Sequence, residues 1–312
     1  MNRNQLLFNY FLVFVVMMIW GLNVVLLKVL VEHMPPATMQ ALRIFTAGVV
    51  LILLIAVKRE WTRFQKQEMK NMLLASIFGV VGHHFFLAFG LMHTTAVNAS
   101  LILALVPLAT SLFAMILLGD RITKWRLFGI FLGLIGVFFI TATGEEVEWG
   151  RLSLGDTFIF LAVITQAISF IYIRKGTKTI STRVFTGYMF IIGSVILFLI
   201  SLIMEPGRVN EVFQVPWEVW SVFLLSAVFA TAIGHQVFNR SIQIIGAGET
   251  AVFNNIVPFF GLVSAAIFLK ESIYPFQWLG FLIVVIGVLF GTGYVEEKML
   301  QNRQMKQKRT HS

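Results

Sequence analysis

The chain has 312 residues, of which 58% are hydrophobic and only 12% are charged, and its formal net charge is +9. Soluble domains carry about 25% charged residues, so this composition excludes an ordinary soluble protein and favours one whose solvent is largely lipid. The chain contains no cysteine, which excludes disulfide bonds, thiolate metal sites and cysteine nucleophiles.

Apolar runs recur along the whole chain. Each is long enough to cross a hydrocarbon core of about 30 Å and is too uniformly apolar for a barrel strand. Because lipid offers the backbone no hydrogen-bonding partners, we expect these runs to be helices. The sequence therefore predicts an all-α polytopic membrane protein with ten transmembrane helices, at residues 7–30, 36–57, 71–92, 96–118, 125–143, 155–174, 184–204, 218–239, 248–269 and 276–294.

The stretch from Val97 to Phe139 occurs a second time, 151 positions later, as Gly248 to Phe290. Proline, acidic and glycine residues keep their register in the two copies, as Pro107 and Pro258, Asp120 and Glu271, Gly129 and Gly280, and Gly136 and Gly287. Chance similarity between apolar segments would not preserve such residues, so we infer a duplication. The predicted units are a first repeat at 1–143, a second repeat at 155–294 and a basic cytoplasmic tail at 295–312.

The Lys and Arg residues near helix ends predict the orientation, since such residues stay on the cytoplasmic side. With the N-terminus inside, 19 of the 24 fall in cytoplasmic segments, whereas the outer loops hold only Arg151, Arg208 and Lys270. We therefore expect both termini inside (N-in/C-in), and we interpret the basicity as a topology signal and not as nucleic-acid binding. Because each repeat has five helices, the second repeat would be inverted, a recurring plan of secondary transporters.

Short motifs in both repeats carry a family resemblance. They are Trp20-Gly21-Leu22-Asn23, Lys28, Pro35, Arg43, Asn98-Ala99-Ser100 leading to Pro107, Leu118-Gly119-Asp120-Arg121-Ile122, Glu249-Thr250-Ala251 leading to Pro258, and Leu269-Lys270-Glu271-Ser272-Ile273. The chain resembles the EamA-type, ten-helix members of the drug/metabolite transporter superfamily. The resemblance implies a transporter of the bacterial plasma membrane that moves a small molecule, preferentially outward, but it does not name the substrate.

Polar side chains inside the predicted helices are energetically costly in lipid, so each one is a candidate functional residue. In the first repeat the predicted substrate-pathway residues are Trp20, Asn23, Arg43, His83 and His84. Arg43 would hold an anionic group or anchor helix ends, and Asn23 would bind a polar solute or a neighbouring helix. We expect only one of His83 and His84 to face any single cavity, because successive helical residues point about 100° apart.

In the second repeat the predicted pathway residues are Gln166, His235, Asn254 and Asn255. The two asparagines precede Pro258, where the first repeat has Leu103-Ala104, and a substrate site does not need to be symmetric. The predicted proton-coupling residues are His83, His84 and Glu249, since an imidazole titrates near pH 6.5. The alternatives are histidines bonded to neighbouring helices and a carboxylate that only stabilises a helix N-terminus. No metal site and no cofactor is expected.

Small residues predict where helices approach one another closely. Gly129-x-x-x-Gly133 and Gly287-x-x-x-Gly291 are packing faces of the fifth and tenth predicted helices. We expect these faces to pack within one chain, which leaves a monomer and a homodimer both open.

The sequence thus predicts a secondary-active transporter that moves a small metabolite, amino-acid-like or amphipathic compound by alternating access, as an exporter. Its expected partners are the small-molecule substrate and membrane lipid. Two other classes stay open. An intramembrane enzyme would need His83, His84 and Glu249 at one depth, whereas the predicted topology puts Glu249 near the cytoplasmic face. A non-transporting sensor would use the basic tail as its output element.

Overall fold

The computed structural model describes residues 3–119, 123–141, 153–245, 253–254, 256–296 and 299, and all regular secondary structure in these residues is helical. Among them, seven helical segments are long and apolar enough to cross a membrane: Gln5–His33, Pro36–Lys58, Lys66–His93, Ala96–Leu118, Leu154–Gly176, Thr182–Met204 and Trp217–Phe238. Two shorter apolar segments follow, Val257–Leu269 and Pro275–Gly291. The chain is therefore an all-helical, multi-pass membrane protein.

Several of the membrane segments consist of more than one helix. In chain order the α-helices are α1 (Arg3–His33), α2 (Pro36–Lys58), α3 (Lys66–Ala75), α4 (His83–His93), α5 (Ala96–Leu103), α6 (Val106–Leu118), α7 (Lys124–Thr141), α8 (Leu154–Gly176), α9 (Thr182–Met204), α10 (Trp217–Leu224), α11 (Gly234–Ile245), α12 (Val257–Ser264) and α13 (Pro275–Gly291). A 3₁₀ helix at Val209–Gln214 lies between α9 and α10.

Three π-helical stretches join or extend these helices: Ser76–Gly82 links α3 to α4, Leu225–Ile233 links α10 to α11, and Ala265–Leu269 follows α12. The first two occupy similar places in the two sequence repeats, directly before or at Gly82-His83 and Gly234-His235. Apolar periodicity predicts a helix here but not its wider turn, which is frequent at functional sites.

The predicted helix at 96–118 is interrupted at Ala104 and Leu105, which form a turn between α5 and α6. Their amides bond to the third residue back, Leu101 and Ile102, at 3.2 and 3.0 Å. The cause is Pro107, which has no N–H to donate and whose ring clashes with the carbonyl four residues earlier. The interruption exposes irregular backbone beside the cavity described below.

The described helices form two types of pairing. In the first type, α2 packs along α9, and α7 packs along α13. In the second, α8 packs against α3, α4, α5 and α6, and α1 packs against α10, α11 and α12. Exchanging the two sequence repeats leaves each pairing of the first type unchanged and converts the pairings of α8 with α3, α4 and α6 into those of α1 with α10, α11 and α12. The largest buried apolar cluster joins α1, α4, α5 and α8 and includes the fully buried Leu91, Leu101 and Ile159.

Glycine faces bring α7 and α13 into backbone contact. A Cβ added to Gly129 would lie 2.1 Å from the Gly291 nitrogen and 2.5 Å from the Gly287 oxygen. No side chain fits in that space, so the two helices approach this closely only because these positions are glycine. The prediction that the two glycine faces pack within one chain is confirmed.

Two buried or partly buried carboxylates of the second repeat bind helix N-termini of the first. Glu205 accepts hydrogen bonds from the amides of Ala37 and Thr38 at 2.7 and 2.9 Å and from the Thr38 hydroxyl at 2.7 Å. Glu271 accepts from the amides of Ala96 and Val97 at 2.9 and 2.8 Å. Each carboxylate satisfies N–H groups that have no partner within their own helix and lies at the positive end of the helix dipole.

Lys28 caps the opposite end of a helix. Its ammonium donates to the carbonyl oxygens of Leu91 and Thr94 at 2.7 and 3.2 Å, and it lies 3.5 Å from the Glu32 carboxylate. These carbonyls belong to the last turn of α4 and the residue that follows it. The side chain therefore holds α1 against the end of α4, which is a structural role.

Candidate functional site

A cavity of about 310 Å³ lies between helices of the two repeats. This size is in the range of small-molecule binding sites. Of the predicted pathway residues, eight line it: Trp20, Asn23, Arg43, His83, His84, Gln166, His235 and Asn254. The other predicted residues, Asn255 and Glu249, lie outside the part of the chain that the structure describes.

Arg43 is the most connected side chain of the cavity and is only 1% exposed. Its Nε donates to Gln40 at 2.8 Å, its Nη1 donates to the hydroxyls of Ser226 and Thr231 at 3.2 and 2.8 Å, and its Nη2 lies 3.1 Å from His84 Nδ1. The guanidinium thus ties α2 to α4 and to the π-helical stretch of the second repeat.

No acidic side chain neutralises Arg43 within the described residues. Its partners are an amide, two hydroxyls and an imidazole. None of the described cavity-lining residues is Asp or Glu. Buried charges are normally paired with an opposite charge, because removal from water is costly. The cavity therefore has one buried positive charge that only neutral polar groups stabilise.

The contact with Arg43 determines the tautomer of His84. A guanidinium has only N–H donors, so Nδ1 of His84 must accept the hydrogen bond at 3.1 Å. The ring proton of the neutral imidazole is then on Nε2. His84 consequently presents an N–H donor on the side of its ring that is away from Arg43.

His83 and His235 have the opposite tautomer. Nδ1 of His83 lies 3.0 Å from the carbonyl oxygen of Ala162, and Nδ1 of His235 lies 2.7 Å from that of Thr231. A carbonyl oxygen only accepts, so Nδ1 carries the hydrogen in both rings and Nε2 of the neutral ring keeps its lone pair. The three histidines therefore offer one donor and two acceptors through Nε2.

The expectation that only one of His83 and His84 would face a given cavity is wrong. Both line it, and their ring centroids are 4.8 Å apart in an edge-to-face arrangement. The two side chains diverge, as the helical geometry requires, but the cavity extends from α1 to α13 and is wide enough for both rings to reach it. Their different backbone and side-chain partners then give adjacent residues different chemical roles.

Trp20 and Asn23 connect α1 to the π-helical stretch Leu225–Ile233. The Trp20 indole donates to the Ala230 carbonyl oxygen at 2.8 Å, and Asn23 accepts from the Ser226 hydroxyl at 2.6 Å. The Trp20 ring also lies 5.1 Å from the His235 ring. Both residues line the cavity and also bind a neighbouring helix, so the interhelical hydrogen bond considered for Asn23 is present, and its binding of a polar solute stays a prediction.

Sequence reasoning missed three polar residues that hold Arg43: Gln40, Ser226 and Thr231. All three are buried, and Thr231 donates in turn to the Ser226 carbonyl oxygen at 2.9 Å. The available signal was weak, since it consisted of single small polar residues inside apolar segments. Sequence reasoning also did not assign an aromatic wall, which consists of Trp20, Phe170, Phe190 and Phe238.

Comparisons with known proteins find similarity over most of the chain. The model of the EamA-like transporter family matches residues 7–142 and 153–292. The uncharacterized transporter YyaM of Bacillus subtilis (strain 168) is 30% identical over 273 residues, which cover 86% of this chain and 88% of the relative. The uncharacterized transporter YetK of the same organism is 26% identical, with 88% of this chain and 84% of the relative covered.

A further relative is named for the compounds that it transports. The S-adenosylmethionine/S-adenosylhomocysteine transporter of Chlamydia muridarum (strain MoPn / Nigg) is 24% identical over 297 residues, covering 91% of this chain and 88% of the relative. Among solved structures, one crystal structure of a protein superposes with a TM-score of 0.65 at 16% identity and covers 95% of this chain and 99% of that chain. That likeness concerns the fold alone.

Proposed function

The chain belongs to the EamA-like transporter family, and from this premise we propose that it exports a small amphipathic or amino-acid-like metabolite by secondary-active, alternating-access transport. Family membership makes it a membrane transporter and not an enzyme. The single observation that carries the proposal is the cavity between the two repeats, where polar groups and aromatic walls meet. Secondary transporters bind their substrates at this kind of interface.

The proposed architecture is a pair of inverted five-helix repeats. Two observations support it: the family description matches twice, at 7–142 and 153–292, and the helix pairings convert into one another when the repeats are exchanged. In such transporters one repeat rocks against the other around a fixed site, which gives alternating access.

The carboxylate caps agree with the predicted path of the chain across the membrane, whereas the proposed N-in/C-in orientation itself rests on the Lys and Arg distribution. Glu205 reaches the start of α2 and Glu271 reaches the start of α5. In each case the two joined segments are expected on the outer side of the membrane. A topology that put them on opposite sides would be incompatible with these contacts.

The proposed substrate class agrees with the lining of the cavity and with one named relative. S-Adenosylmethionine and S-adenosylhomocysteine both have an amino-acid group and an aromatic base. In this chain Arg43, the histidines and Asn254 would bind polar groups, and the aromatic wall would bind an apolar body. For proton exchange we propose Nε2 of His83 and His235, because Nδ1 of His84 is occupied by Arg43 while that contact lasts.

The test is an untargeted comparison of small molecules inside and outside cells that express the chain. Leu103→Trp would fill the cavity, whereas Val195→Trp adds the same side chain at a position that is 48% exposed on the surface of α9. We expect one or more compounds to accumulate outside with the unmodified chain and with Val195→Trp but not with Leu103→Trp. Export that is equal with all three chains would refute the cavity as the pathway, and no change in any pool with inserted protein would refute export.

A further inference from the structure

We propose that the substrate is a small organic monoanion with a ring-bearing apolar body, and that its carboxylate binds to the guanidinium of Arg43. The inference rests on the proposed transport function, since it names the class of compound that the same cavity would carry.

The charge balance of the cavity favours an anion. The described lining has one guanidinium and three imidazoles, and it includes no carboxylate. Inside a protein the Coulomb interaction of a guanidinium with an anion is much stronger than in water. A monoanion would neutralise Arg43, whereas a cationic substrate would add a second positive charge to the same enclosed volume. Among the described lining residues, the charge balance thus favours an anionic group next to Arg43 over a cationic one.

Arg43 has one charged hydrogen-bond donor left for an anionic oxygen, once its bonds to the described residues are counted. Arg43 makes four hydrogen bonds through Nε, Nη1 and Nη2 to described residues. Its fifth hydrogen, on Nη2, has no partner among them. His84 accepts from Nη2 through Nδ1 and therefore presents its own Nε2–H. The remaining Arg43 hydrogen is charged and therefore bonds a carboxylate more strongly than a neutral acceptor, whereas the His84 Nε2–H lies on the other side of its ring and is open to a second polar group.

The neutral partners of Arg43 can release it without losing all their own hydrogen bonds. The Ser226 hydroxyl also donates to Asn23 at 2.6 Å, and the Thr231 hydroxyl also donates to the Ser226 carbonyl oxygen at 2.9 Å. The guanidinium can therefore turn towards an entering anion while these hydroxyls stay bonded. The exchange replaces neutral acceptors by a charged one, which forms the stronger hydrogen bond.

The apolar side of the cavity fits a ring. Trp20 and Phe238 have ring centroids 5.1 Å apart, and Phe190 lies 5.7 Å from His235. These rings and Phe170 line the same cavity as Arg43. A planar apolar body would contact them, while a volume of about 310 Å³ limits the compound to a small molecule.

The test uses three probes that differ only in their polar group: phenylpropionate, its amide phenylpropionamide and the amine phenylpropylamine. Their affinities for the purified full-length chain in detergent are measured by thermal stabilisation. We expect the acid to bind at least about tenfold more tightly than the amide, because only the acid pairs with the buried charge, and we expect no binding of the amine.

Variants of Arg43 test whether this residue causes the preference for the acid over the amide. Arg43→Gln should weaken binding of the acid by about thirtyfold or more and abolish its advantage over the amide. Arg43→Lys should keep part of the advantage, since it keeps the charge but not the planar fork. Arg208→Gln is the matched control, because Arg208 is an exposed arginine that pairs with Glu211 outside the cavity. It should bind the acid as the unmodified chain does.

Several outcomes would overturn the inference: equal binding of acid and amide, preference for the amine, binding of none of the three probes, or an advantage of the acid that survives in Arg43→Gln. The export comparison separates this failure from failure of the proposed function. An exported amine or neutral compound would leave the transporter intact and refute the monoanion. Arg43-dependent binding of the acid without any export would leave the anion site intact and refute export.

Discussion

The guanidinium of Arg43 donates from Nη2 to Nδ1 of His84 across 3.1 Å, and so joins α2 to the first turn of α4 inside the cavity. The contact fixes the chemical state of both groups. Arg43 is held by a neutral acceptor, and His84 is held as the tautomer with its hydrogen on Nε2. A substrate that draws Arg43 away would also free Nδ1 of His84, so substrate binding and the protonation of this ring are coupled.

The tautomers of the histidines can be observed directly by nitrogen NMR of ¹⁵N-histidine-labelled protein. The chain has six histidines, so single His→Asn variants suffice for assignment. At neutral pH we expect His84 to carry its hydrogen on Nε2 and His83 and His235 to carry theirs on Nδ1. A His84 ring with hydrogen on Nδ1, or on both nitrogens, would contradict the contact with Arg43.

Thr231→Val tests the hydroxyl that accepts from Arg43 Nη1. The change keeps the shape of the side chain but leaves a buried guanidinium hydrogen and the Ser226 carbonyl oxygen each with one partner fewer. We expect the free energy of unfolding in detergent to fall by about 1–3 kcal/mol. Thr231→Ser keeps the hydroxyl and should lose less. Equal losses in the two variants would show that the hydroxyl does not support Arg43.

Glu205→Gln tests the cap between the end of α9 and the start of α2. Glu205 is 3% exposed and accepts three hydrogen bonds through its two carboxylate oxygens. The amide has one oxygen, and its NH₂ group would face an N–H donor. We expect unfolding in denaturant to become easier by about 1.5–3 kcal/mol.

Glu211→Gln is the matched control in the same segment between α9 and α10. Glu211 is exposed and pairs with Arg208, whose hydrogen bond lowers the pKa of the Glu211 carboxyl group. The pair is therefore formed at neutral pH and is lost only as the pH falls through that lowered pKa. Exposed pairs of this kind contribute little, so we expect no measurable change. If both substitutions have the same effect, the cap is not a stabilising contact.

Gly129→Ala tests the backbone contact between α7 and α13. The new methyl group would overlap backbone atoms of Gly291 and Gly287, which cannot move without separating the helices. We expect a loss of about 1–3 kcal/mol in the free energy of unfolding. In Gly133→Ala, one turn later in the same helix, the methyl group meets the flexible Leu108 side chain, so the loss should be smaller. The reverse order would contradict the packing.

The sequence predicted the all-helical, membrane-spanning class of the fold, which depends on local composition. Span length followed from apolar runs, and the contact between the α7 and α13 glycines followed from the spacing of small residues. The start of α3 was placed too late, because Lys66 to Asn71 is polar. In the structure, Glu68 caps this turn by accepting from the Gln65 amide at 2.7 Å. Hydropathy does not report such a cap.

The site was only partly predictable, because its chemistry depends on contacts across the chain. Arg43 and the histidines stood out as costly groups in apolar segments. The partners of Arg43 at Ser226 and Thr231 are 183 and 188 positions away, and nothing in their own surroundings marks them. The cap formed by Glu205 was missed for the same reason. The tautomers of His83 and His84 depend on one such partner each, so sequence alone gives adjacent identical residues no distinction.

The account requires a positively charged, water-accessible cavity between the two repeats. Because the chain contains no cysteine, a single introduced thiol can test this directly. A single cysteine is placed in the cavity as Leu103→Cys or on the lipid-facing side of α9 as Val195→Cys. Purified protein is treated with anionic sulfonatoethyl or cationic trimethylammonioethyl methanethiosulfonate, and the two rates are compared. Because both reagents react with the same thiol, the ratio of their two rates does not depend on how reactive that thiol is.

We predict that the cysteine at position 103 reacts with both reagents and reacts faster with the anion, that Arg43→Gln removes this preference, and that the cysteine at position 195 reacts slowly with both. Long-range attraction of this kind raises association rates by about tenfold or more. A cavity cysteine that reacts as slowly as the lipid-facing one, or that prefers the cation, would contradict the account.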